Sequence, residues 1–321
     1  MRSFTSVPLA AIPALITGVQ SWSTDVHQQI GYMAEEFLTE HTTSILEEIL
    51  EPEYEGSIGR AAAWADDYAH TDEGEYSYQW HWIDSSDQPP LFCNLYYNRD
   101  CTSGGCIVQA IANQTVKLGD CVESVKNGGL EKGSDIECSN ALKWVVHFIS
   151  DIAQPLHTSG LGIGGNEFDV VYGGEETNLH SVWDGLIIQT AGNVTEFTNQ
   201  TLAPFFDSLV TRTKDDTFFI PTADWTACTD PSTPVACAMS WARDSNEWNC
   251  DYVHSQIFNN TDLLTSGYAE GGIPIVELQV SKAALRLGTW LNTIVQGHYN
   301  TERDVILDNY PSWLNGSTGG I

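Results

Sequence analysis

Histidine and aspartate recur at short spacings along this chain of 321 residues. His147 and Asp151 form one His-x-x-x-Asp pair, His180 and Asp184 form a second, and His157 follows Asp151 by six residues. Upstream stand His27, Asp66 and His81. Residues four apart on a helix share a face, so each pair can aim an imidazole and a carboxylate at one spot. Imidazole nitrogen and carboxylate oxygen are the ligands that zinc takes where thiolates are absent. Eight such residues are too many for one tetrahedral ion. They predict a metal cluster, and a cluster of divalent ions predicts hydrolysis.

The elements that must position these groups read as helices. Helical periodicity runs over 26–38 (Ile30, Met33, Ala34, Phe37, Leu38) and over 42–50, and the alanine-rich stretch 58–68 is helical by propensity. The segment 79–105, with Pro89-Pro90 and two cysteines, reads as a long ordered loop. Helical pattern returns over 106–118 and 138–152, where Pro155 ends or bends it. His147 and Asp151 then lie at the end of that helix, with His157 just beyond. The glycine-rich stretch 160–174 carries a short β-like run, 168–172, which predicts a small hairpin. Further helices are expected over 178–188, 195–212, 234–250 and 273–295. No repeat or linker divides the chain, so the expected fold is mainly α: a single helical domain with long loops and a small β-hairpin.

Composition narrows the chemistry. The formal charge is −30, from 43 acidic and 13 basic residues. A protein that tracks duplex nucleic acid by neutralising phosphates should be basic. Positive charge at a site must therefore be local, and bound divalent ions are a strong local source. Eleven tryptophans predict aromatic packing or an aromatic-lined site.

The start of the chain reads as a secretory signal: Arg2, an apolar stretch over 7–19, and a cleavage point after Ser21 that makes Trp22 the first mature residue. The expected organisation is a signal at 1–21, a catalytic domain at 22–297 and a mobile tail at 298–321. A secreted monomer with no membrane contact after processing is expected. Eight cysteines fit an oxidising route and leave the pairing open. Sequons at Asn113, Asn193, Asn199, Asn259 and Asn315 predict a glycoprotein.

The words that carry these residues are Trp22 before His27, AWADD (63–67), HWID (81–84), NRDC (98–101), HFISDIAQPLH (147–157), GGN (164–166), TNLHSVWD (177–184) and RLGTWL (286–291). In them the chain resembles the secreted trinuclear-zinc nucleases of fungi and plants, specific for single strands and 3′-nucleotides. Bacterial zinc phospholipase C shares that fold. The resemblance spans 22–296 and implies three zinc ions. Asp66, His81 and His147 would hold one, with Asp151 bridging to a second that is held by His27 and by the α-amine and carbonyl oxygen of Trp22. His157, His180 and Asp184 would hold the third.

It also implies attack on phosphorus by a zinc-bound hydroxide, with Asp66 and Asp151 central to catalysis. Single-stranded RNA and DNA would give 5′-phosphate products, and 3′-nucleotides would lose their phosphate. Trp82 would stack on a base, with Asp84 and Asn166 bonding its edge. The family's usual bridges correspond to Cys93–Cys250 and Cys101–Cys106, which leaves Cys121–Cys138 and Cys228–Cys237. One departure stands out: the family commonly carries Arg or Lys where this chain has Ala69. Two alternatives follow. One is a phospholipase C-like enzyme on the same metals. The other is a secreted zinc-binding effector, weakly active because Ala69 supplies no charge.

Overall fold

The computed structural model describes residues 22–256 and 261–297. The expected signal at 1–21, the tail at 298–321 and the sequons at Asn259 and Asn315 lie outside the described residues. Seven described helices have ten or more residues: α1 (Thr24–Glu35), α2 (Glu40–Ile49), α3 (Ile107–Lys126), α4 (Ile136–Asp151), α5 (Asn199–Lys214), α6 (Pro234–Trp248) and α7 (Tyr268–Gln296). Strands β1 (Asp169–Tyr172) and β2 (Glu175–Asn178) form one antiparallel hairpin. The chain is mainly α, as expected.

Helix α4 lies at the centre. Asp135 caps its start, accepting bonds from the amides of Glu137 (3.0 Å) and Cys138 (3.1 Å). Every residue from Ala141 to Asp151 is buried. A helix buried on all sides must be surrounded by other elements, and α1, α3 and α7 pack against it. The polar residues of its last turn therefore sit in the middle of the molecule.

Helix α1 turns Val26, Ile30, Met33 and Ala34 inward, and His27 enters the core on that same face. Its approach to the next segment is very close: a Cβ on Gly31 would lie 2.6 Å from the Cα of Gly59. Only glycine permits that crossing. It brings the helix carrying His27 against the segment that leads to Asp66.

That segment departs from expectation. The stretch 58–68 forms two short helices, Ile58–Ala61 and Trp64–Ala69, not one. The break leaves the carbonyl of Ala62 outside both helices, where it accepts a bond from His147 Nδ1 at 2.7 Å. Propensity favoured continuity, and the partner in α4 overrides it. The expected loop 79–105 also starts later. A 3₁₀ helix runs over Glu75–His81, and one helical turn forms at Tyr97–Asp100. Helix α7 begins at Tyr268, upstream of the expected 273, with Pro274 inside it.

The hairpin pairs Asp169 with Asn178 and Tyr172 with Glu175. Gly173 and Gly174 make the two-residue turn, both at positive φ (64° and 88°), as such a turn demands. Asn178 then caps the next helix, accepting from Ser181 N at 2.8 Å, so the hairpin launches His180. Residues Val182–Leu186 wind as a π-helix, a geometry often found at functional sites.

Four disulfides tie the elements: Cys93–Cys250, Cys101–Cys106, Cys121–Cys138 and Cys228–Cys237. The third joins α3 to α4, and the first spans 157 residues of sequence.

Candidate metal centre

The eight acidic and imidazole side chains converge, and almost all are buried. The Asp66 side chain, 26% exposed, is the most open; those of His27, His147 and Asp151 are at 0%. Four ligand atoms lie close to one another. Asp66 Oδ1 is 3.4 Å from His81 Nδ1 and 3.3 Å from His147 Nε2. Asp151 Oδ2 is 3.1 Å from His81 Nδ1 and 3.0 Å from His147 Nε2. The two imidazole nitrogens are 3.1 Å apart. Ligands at 2.0–2.1 Å from a tetrahedral ion are separated by roughly 3.3 Å. These five separations match the ligand-to-ligand spacing around a zinc-sized ion.

Asp151 uses its other oxygen elsewhere. Its Oδ1 lies 3.1 Å from His27 Nε2, and the rings of His27 and His147 stack at 3.9 Å. The third group is separate: His180 Nε2 lies 3.3 Å from Asp184 Oδ2, and the rings of His157 and His180 stack at 5.1 Å. Three clusters with metal-ligand spacing result: His27, His147 and Asp151; Asp66, His81 and His147; His157, His180 and Asp184. Each sequence-expected side-chain ligand falls in one of them. Trp22 is fully buried, and its indole Nε1 donates to Ser150 O at 2.9 Å, which seats it beside His27.

The hydrogen bonds suit metal binding. His147, His157 and His180 each place Nδ1 within 2.6–2.8 Å of a carbonyl oxygen: Ala62, His81 and Gly164 respectively. A carbonyl only accepts, so each Nδ1 carries the proton and each Nε2 keeps its lone pair for the site. His157 Nε2 and Asp151 Oδ1 are buried with no hydrogen-bond partner. Buried polar atoms without partners are costly, and a cation there would relieve them.

Electrostatics agree. Burial pushes the Asp151 carboxyl up, but His147, His157 and His27 more than offset it and hold it well below the usual range. Asp66 is likewise held down by His147, His27 and His81 against the effect of burial. Burial drives Asp184 well above the usual range; a bond from Gln154 opposes this, and the charges of Asp151 and Asp66 add to it. Such a carboxylate is stabilised by a nearby positive ion. The donor set fits zinc.

Trp82 stands between two cavities. One is lined by Asp66, Ala69, His70, Tyr78, His81, Trp82 and His157. The other is lined by Trp82, Asp84, Leu156, His157, Ile163, Gly164 and His180. Trp82 and Asp84 are therefore together beside the metal ligands. Asn166 lines neither; its Nδ2 donates to Ile163 O at 2.8 Å and braces the loop. Ala69 is buried in the first cavity, next to exposed His70, whose Nδ1 bonds Asp66 O at 2.7 Å.

Sequence reasoning missed Ile163. It is 56% exposed and holds φ +52°, a strained conformation for a β-branched residue. A lone isoleucine inside a run of glycines (160–165, GLGIGG) was the available signal. Ser150 and Gln154, which contact ligands, were missed as well.

Comparison with known proteins places this geometry. Residues 22–296 match the family model described as S1/P1 Nuclease. The chain is 38% identical to Nuclease S1 of Aspergillus oryzae (strain ATCC 42149 / RIB 40) over 289 residues, covering 89% of this chain and 96% of that protein. It is 32% identical to Nuclease P1 of Penicillium citrinum, covering 85% and 97%. It is 30% identical to Endonuclease 4 of Arabidopsis thaliana, covering 87% and 91%. With the ligand words in order and their side chains converged, the chain belongs to the S1/P1 nuclease family and is a hydrolase of phosphodiester bonds.

Proposed function

We propose that the protein is a secreted, zinc-dependent nuclease that cuts single-stranded RNA and DNA to 5′-phosphate products and removes phosphate from 3′-nucleotides. The observation that carries this reading is the convergence of Asp66, His81 and His147, with Asp151 against both imidazoles, at metal-ligand spacing. Asp151 turns one oxygen to this cluster and the other to His27, so one carboxylate would serve both sites. Trp22 would complete the His27 site through its α-amine and carbonyl oxygen once residue 22 heads the mature chain. His157, His180 and Asp184 would hold the third ion. The chemistry that bound ions supply is activation of water near neutral pH and neutralisation of charge on phosphoryl oxygens.

The rest falls to the chain. Trp82 provides a ring face for a base, worth about 1–3 kcal/mol, and Ile163 lines the same cavity. Asp84, oriented by a bond with Trp82 and raised by burial, accepts from the base edge. Base faces and edges are hidden in a duplex, so a site that needs them selects single strands without a basic groove. Ala69 leaves out one cation beside the reacting phosphate, which lowers turnover and leaves the metal ligands intact.

The test is to strip the purified chain with a chelator, then assay release of acid-soluble nucleotides from single-stranded RNA and of phosphate from a 3′-mononucleotide. Both activities should vanish and return with zinc, and matched duplex RNA should be cut far more slowly. Full activity in the stripped chain would overturn the reading.

A further inference from the structure

We infer that Ser150 and Gln154, neither of them a metal ligand, are positioning residues that each serve a different ion. This rests on the three-zinc reading above. Both residues are fully enclosed, at 1% and 0% exposure, at the C-terminal end of α4 and just beyond it. Neither has an apolar reason to be there.

Ser150 faces the N-terminal side. Its hydroxyl lies 2.6 Å from the carbonyl oxygen of His147 and 2.8 Å from His27 Nδ1. A hydroxyl has one proton, and the carbonyl can only accept it. The bond to His27 must therefore run from the imidazole to Ser150, so His27 carries its proton on Nδ1. Its Nε2 then carries the ring's lone pair and lies 3.1 Å from Asp151 Oδ1. The carbonyl of the same serine accepts the indole N–H of Trp22. One residue thus fixes both the tautomer of His27 and the seat of Trp22.

Gln154 faces the opposite side. Its Oε1 accepts the amide of Leu156 at 2.5 Å, which fixes the orientation of the side-chain amide. Its Nε2 then donates to Asp184 Oδ1 at 2.8 Å. That bond occupies one oxygen of Asp184 and leaves Oδ2 toward His180. Because Leu156 precedes His157, the same glutamine holds the backbone that carries His157. Ser150 therefore acts only on the Trp22 and His27 side, and Gln154 only on the His157, His180 and Asp184 side.

The experiment measures zinc on crystals of the wild type and of Ser150→Ala, Ser150→Cys and Gln154→Met by anomalous scattering at the zinc edge, at a fixed free-zinc concentration. Zinc titrations in solution accompany it. Loss of a partner that orients a ligand typically weakens metal affinity about 10–100-fold. Either serine variant should lose occupancy at the His27 site alone, and Gln154→Met at the Asp184 site alone. Each variant thereby controls for the folding of the other. Equal loss at both sites in each variant, or no loss in any, would overturn the assignment while leaving the metal reading standing. A wild type that holds no zinc at these residues would overturn both.

Discussion

Asp151 shows how much one side chain can be asked to do. Its two oxygens point at different histidine clusters, 3.1 Å from His27 and 3.0 Å from His147. That dual role could not be read from the His-x-x-x-Asp spacing alone. The spacing only places His147 and Asp151 on one face, whereas the second partner arrives on α1. Ile163 makes the complementary case of a residue that works against local preference. Left-handed backbone costs a non-glycine residue about 1–2 kcal/mol, and glycine at the same place returns part of that as freedom in the unfolded chain. Ile163→Gly is therefore expected to raise stability by up to about 1 kcal/mol in a denaturant melt. It should also raise KM for single-stranded RNA roughly 5-fold, through lost apolar surface in the cavity shared with Trp82. An unchanged KM would remove Ile163 from the base site.

At the scale of elements, the site is assembled by caps and breaks. The gap between Ile58–Ala61 and Trp64–Ala69 gives His147 its carbonyl partner, and the hairpin delivers Asn178 as a cap just before His180. The π-helical turn Asn249–Val253 ends at His254, whose ring packs against Phe168, the residue leading into β1. His254 Nε2 is buried without a partner, and burial lowers its pKa from 6.5 to about 4. Above pH 6.5 the ring is neutral in both folded and unfolded chains, and it costs nothing. As pH falls from 6.5 toward 4, the unfolded chain takes up a proton that the fold refuses, so stability is lost. That loss comes to about 2 kcal/mol by pH 4.5. Replacing the ring by an apolar side chain, His254→Leu, should cancel this part of the acid slope. Urea midpoints at pH 7 and pH 4.5 measure it, and parallel slopes for variant and wild type would show that His254 titrates normally.

For the whole molecule, the −30 charge and the chemistry pull in opposite directions. The substrate is a polyanion, and the net field of the protein repels it. On the proposed reading, bound metal ions would supply the positive charge, local to the His/Asp clusters. Added salt screens the long-range repulsion, with a Debye length falling from about 10 Å at 0.1 M to about 3 Å at 1 M. We therefore expect kcat/KM on long single-stranded RNA to rise several-fold between 10 and 100 mM salt (about 30 to 10 Å of screening length), while a 3′-mononucleotide responds much less. A basic nuclease would show the reverse sign. A steady fall of kcat/KM for RNA over that range would mean that the local field of the site dominates the encounter.

The sequence by itself determined the residue types of the centre, the pairing of His with Asp along single helices, and the mainly helical architecture. These are properties of short range: side-chain chemistry and a repeat of about 3.6 residues. Helix ends and breaks were less legible. In the stretch 58–68 the alanines favour a continuous helix, and only the arrival of His147 from α4 makes the broken form better. The motif words, through the family they resemble, already assigned each histidine to a cluster and made Asp151 the bridge; the tertiary structure alone decided the distances between them and that Asn166 braces a loop outside both cavities. It also decided the roles of Ile163, Ser150 and Gln154. Their importance comes from partners more than ten residues away, such as His27 for Ser150 and Asp184 for Gln154. No local pattern encodes a proton shared between two helices or a side chain held across a cavity, because both exist only when the core has closed.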